Sequence, residues 1–277
     1  MTRNRPRRRW QVAAIQMTST TDRDRNLRTA ARLAERAREG GADLIAFPEN
    51  FSYLQPEGQP VPCAEPLDGP LGRWLRELAK NLGCHLLAGS VPESIPRSRR
   101  IHNTSVLYAP DGRRLAAYRK IHLFDVSIRG GAVFRESRTV KPGEQAVVVS
   151  TPLGKLGLSI CYDLRFPELY RRLALRGARV LLIPAAFTAF TGRYHWETLL
   201  RARAVENTCW VVAPAQTGRH SADRESHGHT MVIDPWGTIV ARRGRGAGVV
   251  TATIDLALQD RVRSALPTLR HARRGSR

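Results

Sequence analysis

A glutamate, a lysine and a cysteine in this chain have the types and placement for covalent hydrolysis. Glu49 stands in Phe-Pro-Glu-Asn, Lys120 in Tyr-Arg-Lys-Ile-His, and Cys161 in Ser-Ile-Cys-Tyr-Asp-Leu-Arg-Phe-Pro-Glu-Leu. Each closes a strand-like run. A nucleophile belongs in such a place, held by a rigid strand, with following backbone N–H groups free to bind an oxyanion. A carboxylate buried at a strand end has its pKa raised, which suits a base for a thiol. A lysine there can stabilise a tetrahedral oxyanion or a thiolate. Lys120 is conspicuous because only four of the 45 basic residues are lysines: Lys80, Lys120, Lys141 and Lys155. Lysine presents a compact ammonium, arginine a wide planar fork. Each residue also has a plainer reading. Alone, Cys161 fits a buried structural thiol, the common fate of a free cysteine. Alone, Glu49 and Lys120 fit solvated charges at strand ends. Glu136, in Phe134-Arg135-Glu136-Ser137, fits either a loop acid or a partner that orients Lys120.

Other chemistries have weaker support. Cys63, Cys84, Cys161 and Cys209 are scattered, with no Cys-x-x-Cys pair. That argues against a zinc ribbon or a disulfide framework and points to a reducing cytoplasm. His227 and His229 form His-x-His without a nearby third ligand, so no metal is expected. No apolar run approaches the roughly 18–20 residues of a membrane span. Arg7-Arg8-Arg9 precedes an apolar stretch interrupted by Gln11 and Gln16, too short for a signal segment. The formal net charge of +21 raises the alternative of a nucleic-acid or anionic-surface binding module. However, nine of those charges are arginines in residues 1–9 and 270–277. The others are interleaved with acids, and no basic stripe carries interleaved aromatics, so nucleic acid is not the expected partner.

The elements that must position these residues alternate. Strands are predicted at 10–17, 43–47 and 84–89, and helices at 23–39 and 70–82, the latter with proline at its start and Gly83 after it. A hairpin is predicted from 104–108 and 114–119 around Asp111-Gly112. Residues 123–145 read as a long loop, a length that usually serves a site. Strands follow at 146–150, 156–160, 179–183 and 209–215, with helices near 168–175 and 194–206. A closing meander is predicted from 229–234, 238–242 and 249–254. This pattern favours an α/β fold with a mixed sheet or two packed sheets and helices outside. Residues 10–265 are expected to form one domain between basic tails, 1–9 disordered and 266–277.

Taken together, the segments resemble the nitrilase superfamily of carbon–nitrogen hydrolases. The resemblance rests on Pro48-Glu49, Tyr-Arg-Lys-Ile-His-Leu at 118–123 and Cys-Tyr-Asp-Leu-Arg-Phe-Pro-Glu at 161–168. It continues through His195-Trp196-Glu197, Leu200-Arg201-Ala202-Arg203-Ala204, Gly228-His229 and Asp234-Pro235-Trp236-Gly237. It implies a four-layer α-β-β-α sandwich, a homodimer or higher homo-oligomer, and no metal or organic cofactor. It also implies roles: Cys161 as nucleophile, Glu49 as general base and acid, and Glu136 as a second glutamate beside Lys120. Lys120 and the backbone N–H of Tyr162 would bind the oxyanion.

The same resemblance bears on the substrate, a small-molecule amide. Arg165 is expected to clamp a substrate carboxylate, and Phe187 and Thr188 to line the pocket. Gln216-Thr217-Gly218-Arg219-His220 and the run from His227 resemble the branch acting on deaminated glutathione. That branch hydrolyses a keto-acid amide to 2-oxoglutarate and Cys-Gly. Alternatives are an omega-amidase on 2-oxoglutaramate and an N-carbamoyl-amino-acid hydrolase.

Overall fold

Side-chain alternation along the strands dictates the layering. In β1 (Arg9–Gln16), Val12 and Ala14 enter one buried cluster while Ala13 and Ile15 enter another. Successive residues of a strand face opposite sides of its sheet, so this strand is covered on both. α1 (Arg23–Glu39) follows, its first turn closed by the Asp22 carboxylate accepting from Arg25 N–H. β2 (Leu44–Ala46), α2 (Pro70–Leu82), β3 (His85–Leu87), β4 (Val91–Ser94), β5 (Ile101–Tyr108) and β6 (Arg114–Arg119) complete the first part. The structure, a computed structural model, describes residues 6–127 and 133–273.

The remaining elements are β7 (Asp125–Ser127), β8 (Val133–Arg135), β9 (Val147–Thr151), β10 (Gly154–Leu158), α3 (Pro167–Leu175), β11 (Val180–Leu182) and α4 (Ala189–Asn207). After them come β12 (Trp210–Ala213), β13 (Thr217–Arg219), β14 (Glu225–His227), β15 (Met231–Ile233), β16 (Ile239–Arg242), β17 (Gly248–Asp255), α5 (Leu256–Ala265) and α6 (Thr268–His271). One sheet has the order β17-β1-β2-β3-β5-β4, with β6 paired to β5; the other runs β16-β15-β12-β11-β10-β9. β1, β2 and β3 are parallel, as are β10, β11 and β12. α1 and α2 cover the outer face of the first sheet through Ala30, Leu33, Ala34, Leu71, Leu75 and Ala79. Its inner face shares a core with the second sheet, which α3 and α4 cover through Leu169, Leu173, Trp196 and Leu200. The result is a four-layer α-β-β-α sandwich.

Several expectations need correction. The predicted loop at 123–145 contains the β7–β8 hairpin and a 3-10 turn, Glu136–Arg138. The closing meander is not one: β17 leaves β16 and pairs antiparallel with β1 along all eight residues, Arg9↔Asp255 to Gln16↔Gly248. That pairing joins the two ends of the chain in one sheet. α4 begins at Ala189, earlier than residue 194, because the Thr188 hydroxyl caps it. At the ends, Arg7 N–H donates to the Pro152 carbonyl at 2.8 Å and its guanidinium meets Asp43 at 2.7 Å. α6 adds a helical turn beyond residue 265. Residues 1–5 and 274–277 of the two tails lie outside the described residues. No helix among the described residues is long and apolar enough to cross a membrane.

Candidate active site

Strand ends from both sheets converge on one cluster. Glu49 lies three residues past β2, and its backbone carbonyl accepts from Gln216 Nε2 at 3.0 Å. The neighbouring turn after β3 passes so close that a Cβ on Gly89, at φ +39°, would collide with the Pro48 carbonyl oxygen. Lys120 follows β6. Its N–H donates to the Asn103 carbonyl at 2.9 Å, and its own carbonyl accepts from Gly143 N–H at 2.8 Å. Cys161 opens a 3-10 turn, Cys161–Arg165, beyond β10, with φ +46° and its N–H donated to the Pro184 carbonyl at 2.9 Å. Positive φ is strained for a side-chain-bearing residue and recurs at functional sites. Tyr162 N–H enters no backbone hydrogen bond among the described residues.

The side chains interlock. Lys120 Nζ donates to Glu49 Oε1 at 2.9 Å and to both Glu136 oxygens, at 3.1 and 2.9 Å. The second Glu49 oxygen accepts from Ala186 N–H at 2.8 Å. Glu136 Oε2 also accepts from Phe124 N–H at 2.7 Å. Glu49 is 3% exposed, Lys120 2% and Cys161 8%.

Burial this deep governs the charges. It drives Glu49 toward its neutral form, but Lys120 and hydrogen bonds from Cys161 and Ala186 hold the carboxyl below its ordinary value. Burial likewise opposes the charge on Lys120, yet the Glu136 and Glu49 carboxylates keep it well above the ordinary lysine range. Burial, then the Glu49 charge, push the Cys161 thiol well up, with Lys120 opposing. The resting pair is therefore a thiol facing a carboxylate. Such a pair can act by passing its proton as sulfur attacks, which is general-base chemistry.

These groups lie in a cavity of about 450 Å³, within the roughly 300–1,000 Å³ typical of small-molecule sites. Glu49, Lys120, Glu136, Cys161, Tyr162, Phe187 and Thr188 all line it. Residues 11–264 match the family model described as carbon-nitrogen hydrolase. This chain belongs to the carbon–nitrogen hydrolase family. It is 45% identical over 263 residues to a deaminated glutathione amidase of Synechocystis, covering 94% of this chain and 97% of that one. A solved Saccharomyces cerevisiae member of the nitrilase superfamily is 32% identical, with a TM-score of 0.83 over 94% of this chain and 95% of that one. A variant of the Nesterenkonia sp. amidase is 27% identical with a TM-score of 0.79, over 97% of this chain and 95% of that one. It shows covalent addition of the acetamide moiety of fluoroacetamide at its active site cysteine.

Not every expected residue of the hydrolase reaches the cavity. Arg165 is absent from its lining. Its guanidinium sits 5.7 Å from the Tyr162 ring centroid and 5.1 Å from that of Phe187, and Nη1 lies 3.2 Å from His195 Nδ1. Its guanidinium thus stands beside two residues of the cavity wall. Arg219 and His227 are also off the lining; His227 stacks on His229 at 4.3 Å. The arginines that do line it are Arg135, Arg193 and Arg224, together with the acids Glu57, Asp223 and Glu225. None of these was singled out in the sequence as a ligand.

Two further residues of the hydrolase were missed. Asn103 on β5 donates from Nδ2 to Glu49 at 2.9 Å and to Glu136 at 3.3 Å. It stands in the polar run His102-Asn103-Thr104-Ser105, where nothing in the sequence sets it apart. Asp163 is fully buried, accepting from His122 N–H and Tyr118 OH and from Ile160 N–H, with His122 Nδ1 at 2.7 Å. It ties the segments flanking Lys120 and Cys161 to each other. Its signal was a charge two residues past the cysteine.

Proposed function

We propose that this carbon–nitrogen hydrolase cleaves the keto-glutaramate amide of deaminated glutathione, giving 2-oxoglutarate and Cys-Gly. One observation carries the reading: Glu49, Lys120 and Cys161 form a single buried network on the floor of a 450 Å³ cavity. Glu49 takes the thiol proton as Cys161 sulfur bonds to the amide carbon. Lys120 and Tyr162 N–H bind the resulting oxyanion. Glu49 returns the proton to the leaving amine as the C–N bond breaks, leaving an acyl-thioester on Cys161. Glu49 then deprotonates a water that attacks the thioester, releasing the acid and restoring the thiol. Glu136 holds Lys120 charged throughout. Phe187 and Thr188 contact the acyl portion.

The substrate identity is supported by the Synechocystis relative, aligned along 94% of this chain. A homodimer or higher homo-oligomer in the cytoplasm belongs to the same reading. The exposed apolar side chains of Leu175, Val205 and Trp236 support the oligomer, and light scattering of the purified protein tests it.

The test is product release from deaminated glutathione and 2-oxoglutaramate in parallel, with Cys161→Ala as control. Faster Cys161-dependent turnover of the first is expected. Preference for the second would replace the substrate by the omega-amidase one. Turnover of neither would send the search to carbamoyl compounds.

A further inference from the structure

Lys120 holds three acceptors in place, and catalysis asks it to release one. Its ammonium has three protons and faces Glu49 Oε1, Glu136 Oε1 and Glu136 Oε2 at 2.9, 3.1 and 2.9 Å. An oxyanion forming above Cys161 competes for one of these protons. When Lys120 turns toward it, the Glu49 carboxylate loses a tether at the moment it must carry a proton.

We infer that Asn103 is the positioning residue that keeps the Glu49 carboxylate aligned while Lys120 serves the oxyanion. Its Nδ2 gives one hydrogen to Glu49 Oε1 at 2.9 Å and lies 3.3 Å from Glu136 Oε1. It therefore bridges the two carboxylates with a neutral donor. Oε1 is occupied by two N–H donors, so Oε2, which accepts one N–H, that of Ala186, is the oxygen open to a proton from sulfur. Asn103 is 5% exposed, and its Oδ1 has no partner among the described residues. An unpaired buried carbonyl is destabilising, so this amide is not there for packing. Its backbone adds to the role, since the Asn103 carbonyl accepts Lys120 N–H at 2.9 Å. One residue thus touches both partners of the base.

The inference rests on the mechanism under Proposed function, and its test separates the two. Asn103→Asp keeps the shape but sets a third carboxylate against Glu49, Glu136 and Lys120. Asn103→Leu removes the donor altogether. In both, kcat is expected to fall about 100-fold, as for a base displaced by an ångström, with KM changed less than about threefold. Relative to the parent, Asn103→Asp regains rate as pH is lowered and the new carboxyl becomes a hydrogen donor. Asn103→Leu shows no such recovery. A purely structural residue would not produce that difference. Parent-like kcat in folded Asn103→Asp, or a pH-independent ratio to the parent, overturns the inference, whether or not Asn103→Leu folds. If Cys161→Ala still turns over substrate, the underlying mechanism fails instead.

Discussion

The floor and the rim of the cavity are built on opposite principles. On the floor, Glu49, Lys120, Asn103 and Cys161 are each under 10% exposed, and every carboxylate oxygen there has at least one donor. At the rim, Arg193 and Glu225 are exposed and Arg135 and Arg224 half-buried, and the guanidiniums of the last two donate to backbone carbonyls. Low dielectric makes floor charges strongly coupled, whereas rim charges are screened. In the proposed mechanism the reaction is therefore set by this buried constellation. The same proposal leaves substrate choice to the rim side chains.

If that division is right, floor variants lose rate and rim variants lose affinity. The largest effect is expected from Cys161→Ala, with turnover down about 10⁴-fold or more and an unchanged circular dichroism spectrum. Retained activity would remove the floor from the chemistry. Next is Glu49→Gln, which cannot accept the thiol proton. Its kcat should fall about 10²–10⁴-fold while KM holds; a change in KM alone would place Glu49 among the binding groups.

A smaller effect concerns stability just outside the floor. His220 is buried, with Nδ1 on the Ser19 carbonyl and Nε2 on Ser226 Oγ. Burial lowers its pKa from 6.5 to about 4. The unfolded chain binds this proton more readily, so the contribution is complete above about pH 6.5 and is lost as pH falls toward 4. Denaturant titrations at pH 7 and pH 4 should differ by about 3 kcal/mol from this group at most, and His220→Gln should flatten the slope. An unchanged slope in that variant would show that His220 is not the group responsible. The smallest effect is expected at the rim. Arg193→Ala should raise KM for the anionic substrate about two- to fivefold and leave kcat alone. A collapse of kcat there would erase the distinction between the regions.

The same division explains what the sequence discloses. Glu49, Lys120 and Cys161 sit in short contiguous runs at strand ends, where residue type and place in the element agree. Glu136 was reached through the family resemblance of Phe134-Arg135-Glu136-Ser137, since alone it fits a loop acid, and the hairpin just before it was not foreseen. Asn103 was hidden because its role depends on partners 54 and 33 residues away, and because the strand, which begins at Ile101, was started three residues too late. Arg165 was expected at the site from its place four residues after Cys161 and from the family resemblance; the 3-10 turn brings its guanidinium beside the Tyr162 and Phe187 rings. The rim arginines come from β8, α4 and the β13–β14 turn, and only the fold brings them together. The last strand was misassigned because its alternation suits either sheet, and its pairing is decided by the partner it meets in β1.

The most direct test of the covalent mechanism is mass spectrometry of the Cys161 peptide after rapid acid quench during turnover of deaminated glutathione. A 2-oxoglutaryl thioester on Cys161 is expected, formed within one turnover and lost as substrate is exhausted. An unmodified Cys161 throughout turnover, with the acyl group on another residue or activity persisting in Cys161→Ala, would contradict it.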